Sequence, residues 1–570
     1  MGTNQRRTFL EEMIEIQSGD RMSLSEDKVY KKYANKTLPT NLAKSTSGLS
    51  AYTGPWTEVQ VIHLLRRLTF GVKQSDVDAF TSMTMAQTVD YMLNTVPAIP
   101  TAPLNNYSGT LPDITGVFPG QPWVANQYGD QQTDSGREGS LKAWWTGLML
   151  NQNSSVYEKM VYFWHNHFAI EFDIVGDARK SYNYYMLLRA FALGNFKDLV
   201  RAVTTDPAML VYLNGYLNVN YAPDENYSRE LQELFTVSKE YLPHYTEDDV
   251  QQAARVLTGW RINNSTLLSY FEPSLHDTGN KPFSFYYNNA VINGQSGMNG
   301  ANETDQLIDL MFSKFQTAKY ICAKLYRFFV YYVIDATVEN NIIIPMANIL
   351  VSNNFEIKPV LSALFRSEHF FDMLSQGCFI RTPLDFILGT MRTFNVQVPG
   401  NLSVNEKYSI WRALSNYAGN MNLSVGQPPN VAGWPAYYQT PEFHEIWINS
   451  TTYPRRQSFT DMMLSGGFTA GTSATIRIDY LTYTANFANA DDPDALINYY
   501  VKMLLGLPIS VAHHDSLKSI LLSGQSQNYY WTNAWNAYVA VPNVANTNIV
   551  SQRIRSVLLE LTRLAEHHLC

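Results

Sequence analysis

The sequence PDENYSRELQELF, at residues 223–235, decides the fold, and YTEDDVQQAARVLTGW continues it at residues 245–260. Each residue of a helix turns about 100°, so Asn226, Glu230 and Glu233 fall on one stripe. The neighbouring face is apolar and consists of Tyr227, Leu231, Leu234 and Phe235. Two carboxylates and an amide beside a buried face can bind a cation, share a proton or hold an arginine. The pattern therefore predicts a helix with a polar site along its edge.

The composition is that of a large globular protein. Of the 570 residues, 45% are hydrophobic and 16% are charged, so the chain can bury a sizeable core. The formal net charge of −8 argues against broad contact with nucleic acid or with an anionic membrane. The longest apolar stretch, residues 328–334, is too short to span a bilayer, so we expect no transmembrane segment.

The three cysteines, Cys322, Cys378 and Cys570, lie far apart in the chain. Their number and spacing fit neither a disulfide framework nor a zinc site. Cys322 lies in an apolar helical run and is expected to be a buried thiol. At most one disulfide bond is compatible with three cysteines, so they do not define a redox compartment.

The N-terminal residues, 1–54, form a polar arm rich in Lys, Ser, Thr and Asn. Arg6 and Arg7, followed by TFL, are similar to a twin-arginine export motif. A working signal needs an apolar segment next, and the chain instead continues with EEMIE. We therefore expect the pair not to act as an export signal, and a cytoplasmic location stands as the alternative to an extracytoplasmic one.

Helical periodicity dominates the rest of the chain. We predict a mainly α fold: a large multi-helix domain with long irregular loops and at most a minor β-hairpin. The helical core is expected to cover residues 55–465. A C-terminal helical region, residues 466–570, is expected to pack on that core.

Local signals predict where several elements begin and end. Thr57 is a helix cap, and Ser155 with Glu158 has the spacing of a capping box. Residues 97–136 and 261–302 are rich in turn-forming residues and are predicted to be long irregular segments. Within the second segment, FSFYY is a candidate strand.

Seven blocks of the sequence carry a resemblance to a known family. They are LLRRLTFG (64–71), FWHNHFA (163–169), NFKDLVRAVTTDPAMLVYLNG (195–215), ENYSRELQELFTV (225–237), YTEDDVQQAARVLTGW (245–260), HDTGNKPF (276–283) and PPNVAGWP (428–435). Together they resemble the DUF1800 family, a bacterial group without an assigned function. The resemblance implies a predominantly helical fold, an extracytoplasmic setting and a partner of the DUF1501 type, which resembles sulfatases and alkaline phosphatases. It implies no catalytic residues, because none is established for the family.

Histidines in two of these blocks are candidate functional residues. His165 and His167 lie about 160° apart on a helix, so only one of them can face a given ligand, and His167 is the candidate. Its ordinary alternative is a core histidine bonded to a carboxylate or carbonyl. His276 and Asp277, with Lys281, lie in a loop, where an imidazole beside a carboxylate can bind a metal or act as a base. The alternative for His276 is a surface histidine.

The acidic stripe also has an ordinary explanation. Arg229, Arg255 or Arg261 could neutralise its carboxylates in a buried salt network that holds the helices together. Glu225 and Arg229 already have the spacing of a helical ion pair.

The leading hypothesis is a hydrolase with a carboxylate and histidine pocket. Glu230, Glu233, His167 and His276 are its candidate catalytic residues, and they also offer the mixed ligands of a divalent metal ion. Metal-bound water would then supply the nucleophile. Asn226, Arg229, Asp277, Lys281 and Trp260 are the candidate substrate-binding residues. No nucleotide cofactor is expected, because the chain lacks a P-loop and a dinucleotide fingerprint.

The alternative hypothesis is a non-catalytic extracytoplasmic binding or assembly protein that partners a DUF1501-type protein. The family-like blocks would then be packing signatures, and the two long irregular segments would be docking surfaces. A carbohydrate-binding version requires an open groove of indole rings. Its candidates are Trp144, Trp145, Trp164, Trp260 and Trp434.

Overall fold

The computed structural model describes residues 45–108, 112–239, 243–434, 444–471 and 474–570. Within these ranges helices dominate, and the strands form two small antiparallel pairs. The predicted mainly α fold is confirmed. The twin-arginine-like pair and the N-terminal arm up to residue 44 lie outside the described residues. None of the helices in the described ranges is both long and apolar enough to cross a membrane.

Helices α1 to α9 precede the stretch at residues 223–235. They are α1 (Glu58–Leu68), α2 (Gln74–Thr81), α3 (Met85–Asn94), α4 (Gln131–Leu150), α5 (Tyr157–His167), α6 (Phe172–Val175), α7 (Ala178–Ala190), α8 (Phe196–Thr204) and α9 (Pro207–Tyr212). Thr57 and Gln60 form a capping box at the start of α1, which confirms the predicted cap.

Helices α10 to α25 begin within residues 223–235, called the deciding stretch below, and continue to the C-terminal part of the chain. They are α10 (Asn226–Glu230), α11 (Glu247–Val256), α12 (Asn302–Phe312), α13 (Phe315–Phe329), α14 (Ala336–Val338), α15 (Ile344–Ser352), α16 (Ile357–Phe365), α17 (Glu368–Phe371), α18 (Pro383–Thr393), α19 (Val404–Gly419), α20 (Thr452–Met463), α21 (Tyr480–Ala485), α22 (Pro493–Leu504), α23 (Val511–Leu521), α24 (Tyr529–Ala540) and α25 (Val544–Arg563). Helix α10 continues as a π-helix over Leu231–Phe235, and a second π-helix, Glu339–Ile343, joins α14 to α15.

Helix α5 is enclosed along its whole length, because all of its residues are buried. A buried polar side chain must find a partner inside the protein or lose its hydrogen bonds to water. Glu158 accordingly pairs with Arg189 of α7, at 2.5 Å, and Lys159 pairs with Asp385 of α18. The predicted capping box is wrong for this reason: Val156 precedes α5 without a side-chain cap, and the Glu158 carboxylate is used by a different helix.

The first predicted irregular segment, residues 97–136, ends earlier than expected. Asp130 caps α4 by accepting a hydrogen bond from the Thr133 amide, so the helix begins at Gln131. Gly136 lies inside α4, where the ring of Tyr107 would be 2.8 Å from a Cβ atom. Gly136 is counted toward an irregular segment in the sequence. In the structure it is a helical residue whose lack of a side chain makes room for the ring of Tyr107.

The second predicted irregular segment, residues 261–302, contains most of the strand structure. Strand β1 (Trp260–Asn263) pairs antiparallel with β2 (Leu268–Phe271), and β3 (Lys281–Pro282) pairs with β4 (Val291–Ile292). The predicted FSFYY strand is wrong. Phe285–Tyr287 is a 3₁₀ turn, because the Ser284 hydroxyl accepts a hydrogen bond from the Tyr286 amide.

Candidate functional site

His167, the candidate ligand on α5, is buried among aromatic rings. Its Nε2 lies 3.1 Å from the carbonyl oxygen of Phe235, at the end of the π-helix. Phe163 and Trp164 pack beside the imidazole. Burial and then the charge of Lys324 lower the pKa of His167 well below its usual value, so the neutral ring donates to the carbonyl. His167 is a core histidine, as in the ordinary alternative, and it holds the end of the π-helix.

Asn166, beside His167, joins two of the family-like blocks. Its Oδ1 accepts a hydrogen bond of 2.7 Å from the backbone amide of Trp434. Gly433 approaches so closely that a Cβ atom there would lie 2.2 Å from the same oxygen. Gly433 and Trp434 of this block are thus anchored on α5 by a contact that only glycine permits.

His276 and Lys281 meet Glu303, a residue that the sequence did not single out. All three side chains are buried. Lys281 forms an ion pair with Glu303, and Nε2 of His276 lies 3.1 Å from the Glu303 Oε1. Burial opposes ionisation of Glu303, but hydrogen bonds from His276 and Lys281 outweigh it and lower the pKa of this carboxyl group. The alternative of a surface position for His276 is wrong, because the imidazole lies in a buried cluster with Lys281 and Glu303.

Asp277 and Trp260 also bond within the protein. Arg255 donates hydrogen bonds of 2.7 and 3.1 Å to the two oxygens of Asp277. The indole nitrogen of Trp260 donates to the Thr304 hydroxyl at 3.0 Å. These contacts fasten residues 261–302 to the end of α11 and the start of α12.

The five indoles proposed for a carbohydrate groove do not line one. Trp145, Trp164 and Trp434 are fully buried, Trp144 is 4% exposed, and only Trp260 is partly accessible. A buried ring cannot stack on a sugar. The carbohydrate-binding version of the alternative hypothesis is therefore wrong for these residues.

The deciding stretch does carry its polar groups along one edge. Arg229 pairs with Glu225 at 3.0 Å and with Glu247 at 2.7 Å, so it does not neutralise the stripe. Asn226 is exposed, and its amide donates to the carbonyl of Leu213 at 3.3 Å.

The other two arginines are also engaged away from the stripe. Arg255 binds Asp277, and Arg261 donates to the carbonyl of Tyr216. Glu233 accepts a hydrogen bond of 3.1 Å from Tyr245 and pairs with Lys239. The ordinary alternative, in which Arg229, Arg255 or Arg261 pairs with the carboxylates of the stripe, is therefore not what the structure has.

Glu230 differs from its neighbours. It is half-buried, and it forms no hydrogen bond or ion pair with any residue that the structure describes. Burial, and then the negative charge of Glu233, raise the pKa of Glu230, against the weaker opposing effects of Lys239 and Arg229. Glu230 is therefore a carboxyl group whose oxygens are available to a ligand.

Tyr212 and Glu171 lie near Glu230. The Tyr212 hydroxyl donates a hydrogen bond of 3.0 Å to Glu171. Burial, Glu171 and Glu230 all raise the pKa of Tyr212, which places the three side chains in one neighbourhood. Neither Tyr212 nor Glu171 has a helical spacing to Glu230 in the sequence, so periodicity alone did not identify them.

The four predicted metal ligands do not come together. His167 is turned to Phe235 and His276 to Glu303, whereas Glu230 and Glu233 lie on the edge of the deciding stretch. Among the described residues, no three His, Cys, Asp or Glu side chains are grouped in a way that could hold a metal ion. The predicted four-residue metal site is not assembled.

The order and content of these blocks agree with one family comparison. A family model described as "Protein of unknown function (DUF1800)" matches residues 63–547. The chain belongs to the DUF1800 family. No curated protein and no solved structure matched. The resemblance seen in the sequence is confirmed, and the family description assigns no activity.

This DUF1800 protein has a second carboxyl group with unusual ionisation, which the sequence did not single out. Glu138 of α4 shares a hydrogen bond with Asp173 of α6, and Lys142 contacts both carboxylates. Gln427 donates to Glu138 at 3.1 Å. Burial, followed by the hydrogen bond with Asp173, raises the pKa of Glu138 to about 7, and the pKa of Asp173 is lowered. Of this coupled pair, Glu138 is therefore the carboxyl group that stays protonated to the higher pH.

The raised pKa of Glu138 predicts that the free energy of unfolding depends on pH. The folded pKa, about 7, lies above the ordinary value of 4.5, so the stabilisation is complete below pH 4.5 and is lost as the pH rises through 7. Between about pH 5 and 8 we expect the wild type to lose about 1–2 kcal/mol that Glu138→Gln keeps. Thermal melting of both proteins across this range measures the difference, and parallel curves would contradict the assignment.

Proposed function

We propose that this DUF1800 protein is a hydrolase in which Glu230 is the general base. The observation that carries the proposal is the half-buried, unpaired Glu230 carboxyl group with its raised pKa. A carboxylate without protein donors can accept a proton from a water molecule, and a raised pKa makes it a stronger base. The adjoining π-helix also supports a functional assignment, because such turns are frequent at functional sites.

The neighbours of Glu230 have distinct roles in this proposal. Glu233 is held by Tyr245 and Lys239, and its charge keeps the pKa of Glu230 high. Glu230 takes a proton from water, the resulting hydroxide attacks the substrate, and the proton passes to the leaving group. Asn226 is exposed on the same edge and is placed to orient the substrate.

The charge around Glu230 indicates the substrate class. Glu171 and Glu233 add negative charge near Glu230, and Lys239 offsets part of it by pairing with Glu233. Because Arg229 is already bound by Glu225 and Glu247, an excess of negative charge remains, which repels phosphate and other anionic groups. A neutral or cationic substrate with an ester, amide or glycosidic bond is therefore favoured.

Glu230→Gln tests the proposal directly. Purified protein is assayed with neutral p-nitrophenyl esters and glycosides and with p-nitrophenyl phosphate. We expect turnover of a neutral substrate, a rate that rises as Glu230 ionises, and a loss in kcat/KM of about 100-fold or more in Glu230→Gln. The same variant should keep its free energy of unfolding or gain about 0.5 kcal/mol, because ionised Glu230 costs stability above its folded pKa.

Glu225→Gln is the matched control. Glu225 precedes α10, is exposed to a similar degree and is paired with Arg229 rather than free. It should keep its kcat/KM within about twofold, as expected for a surface change. Full activity in Glu230→Gln, or an equal loss in both variants, would contradict the role of Glu230.

A second candidate function is an assembly role beside a DUF1501-type protein, which the family resemblance suggests. One observation favours it: Asn166, His167, His276 and Asp277 direct their polar atoms to other parts of this chain. The family blocks then act as packing signatures. Co-expression with a DUF1501-type protein and size-exclusion chromatography would test it, and a monomer that never co-elutes would count against it.

A further inference from the structure

A small cavity lies where α1 and α18 meet the last residues of the chain. Its volume is about 10 Å³. The lining residues are Arg66, Thr69, Gly71, Val72, Arg381, Asp385, Gly389, Thr393 and Cys570. Both lining arginines are 8% exposed, and Arg456, which bonds to the backbone of Arg381, is completely buried. Two guanidinium groups therefore line this small cavity, and a third lies beside it.

The hydrogen bonds of these arginines go to neutral acceptors. Arg66 donates to the carbonyls of Leu505, at 2.8 Å, and Met503, at 3.0 Å. Arg381 donates to the carbonyl of Leu569 at 3.1 Å. Carbonyl oxygens satisfy donors but do not cancel charge.

Several nitrogen atoms of this group have no acceptor at all. Nε of Arg66 and both Nε and Nη1 of Arg456 are buried without a hydrogen bond to any described residue. The third nitrogen of Arg456, Nη2, donates to the carbonyl of Arg381 at 2.7 Å. Leaving a charged donor unpaired in the interior is costly, so these atoms indicate a missing acceptor.

The carboxylate that lines the cavity is already engaged. Asp385 forms an ion pair with Lys159 and accepts a hydrogen bond of 2.9 Å from the Thr382 hydroxyl. Cys570 is the other source of negative charge in the lining, because it raises the pKa of Arg66, Arg381 and Arg456. Lys159 already binds Asp385, so the three guanidinium charges still outnumber the two negative groups that face them.

The ionisation of the arginines reflects the same imbalance. Burial and the charge of Arg381 lower the pKa of Arg66, although Cys570 opposes this. Burial and Arg381 also lower the pKa of Arg456, to about 9. Arginine is normally protonated in proteins, so the protein must relieve this repulsion by some means.

We propose that this cavity binds a small monatomic anion of halide size between Arg66 and Arg381. The volume is about what one water molecule needs, and a chloride ion is only slightly larger, whereas phosphate or a carboxylate ligand does not fit. The anion supplies the missing negative charge where the segment around Arg66 meets Met503, Leu505 and Leu569. Binding of chloride is expected to stabilise the folded protein by mass action.

Two measurements on the wild-type protein test the site. In the first, crystals grown in bromide should show an anomalous peak within hydrogen-bond distance of Arg66 and Arg381. In the second, the melting temperature should rise with chloride when gluconate is exchanged for chloride at constant ionic strength. No peak would overturn the proposal, and so would a melting temperature that depends on ionic strength alone. A peak without any effect on melting shows binding at crystal concentration only and would also overturn it.

Arg381→Gln and Arg392→Gln form a matched pair of variants. Arg392 is 2% exposed and also donates to carbonyls, those of Leu150 and Gln152, but it does not line the cavity. We expect Arg381→Gln to weaken chloride binding at least tenfold and Arg392→Gln to preserve it. Equal chloride dependence in both variants would overturn the proposal. The bromide experiment needs no variant, so it decides the question even if Arg381→Gln fails to fold.

Discussion

Replacement of Glu303 by alanine is expected to lower the free energy of unfolding by about 3–5 kcal/mol. Glu303 is buried between Lys281 and His276, and it also accepts a hydrogen bond of 2.6 Å from the Gln295 amide. Without Glu303, the ammonium group of Lys281 stays in the interior without a counter-charge. The loss should appear in chemical denaturation at neutral pH.

A double replacement distinguishes the lost ion pair from a general defect. Lys281→Met together with Glu303→Leu removes both charges and fills the space, and such replacements of buried pairs are often neutral or stabilising. We expect the double variant to regain most of the stability that Glu303→Ala loses. If it is as unstable as the single variant, the charge argument fails and packing alone explains the loss.

Replacement of Gly433 by alanine is expected to cost about 2–5 kcal/mol. Gly433 has a φ of +83°, and a Cβ atom would lie 2.2 Å from Oδ1 and 2.3 Å from the carbonyl oxygen of Asn166. Part of the cost is the strained backbone, and the larger part is the displacement of Asn166 from Trp434. Thermal and chemical denaturation measure the sum.

Gly297→Ala isolates the backbone contribution. Gly297 also has a positive φ, +62°, but a Cβ atom there meets nothing within 4 Å. Its replacement should cost only about 1 kcal/mol. If Gly433→Ala costs no more than Gly297→Ala, the contact with Asn166 does not contribute to stability.

These two expected effects concern contacts that residues of the family blocks make, and both are effects on stability. Gly433 and Asn166 join two blocks, and Lys281 joins a block to α12 through Glu303. Glu230 belongs to a block as well, yet its carboxyl group has no such partner among the described residues. Glu230 is therefore the residue of the deciding stretch to test for catalytic activity. His167 and His276, which lie outside that stretch, are expected to affect folding.

The stripe of Asn226, Glu230 and Glu233 shows what helical periodicity in a sequence can predict and what it cannot. Helical spacing predicts the three polar residues on one stripe, and all three side chains are at least partly accessible in the structure. It did not show which acid is free, because Glu233 is bound by Tyr245 and Lys239, which follow in a different segment. Periodicity also does not predict the π-helix at Leu231–Phe235, because its end is held by His167 from another helix.

The sequence by itself determined the helical class and several helix starts. Thr57 and Thr246 cap their helices with partners three residues away. Such contacts depend only on residues that are close together in the sequence. The predicted box at Ser155 failed where a tertiary partner, Arg189, competed for Glu158.

Only the tertiary structure decided which polar residues are structural and which are available. Asn166 meets Trp434 across 268 residues, and Lys159 meets Asp385 across 226. A buried polar group takes whichever partner folding brings beside it, and that choice depends on the packing of distant helices. Caps and periodicity act within a few residues, so the sequence identified the helices but not the partners of their buried charges.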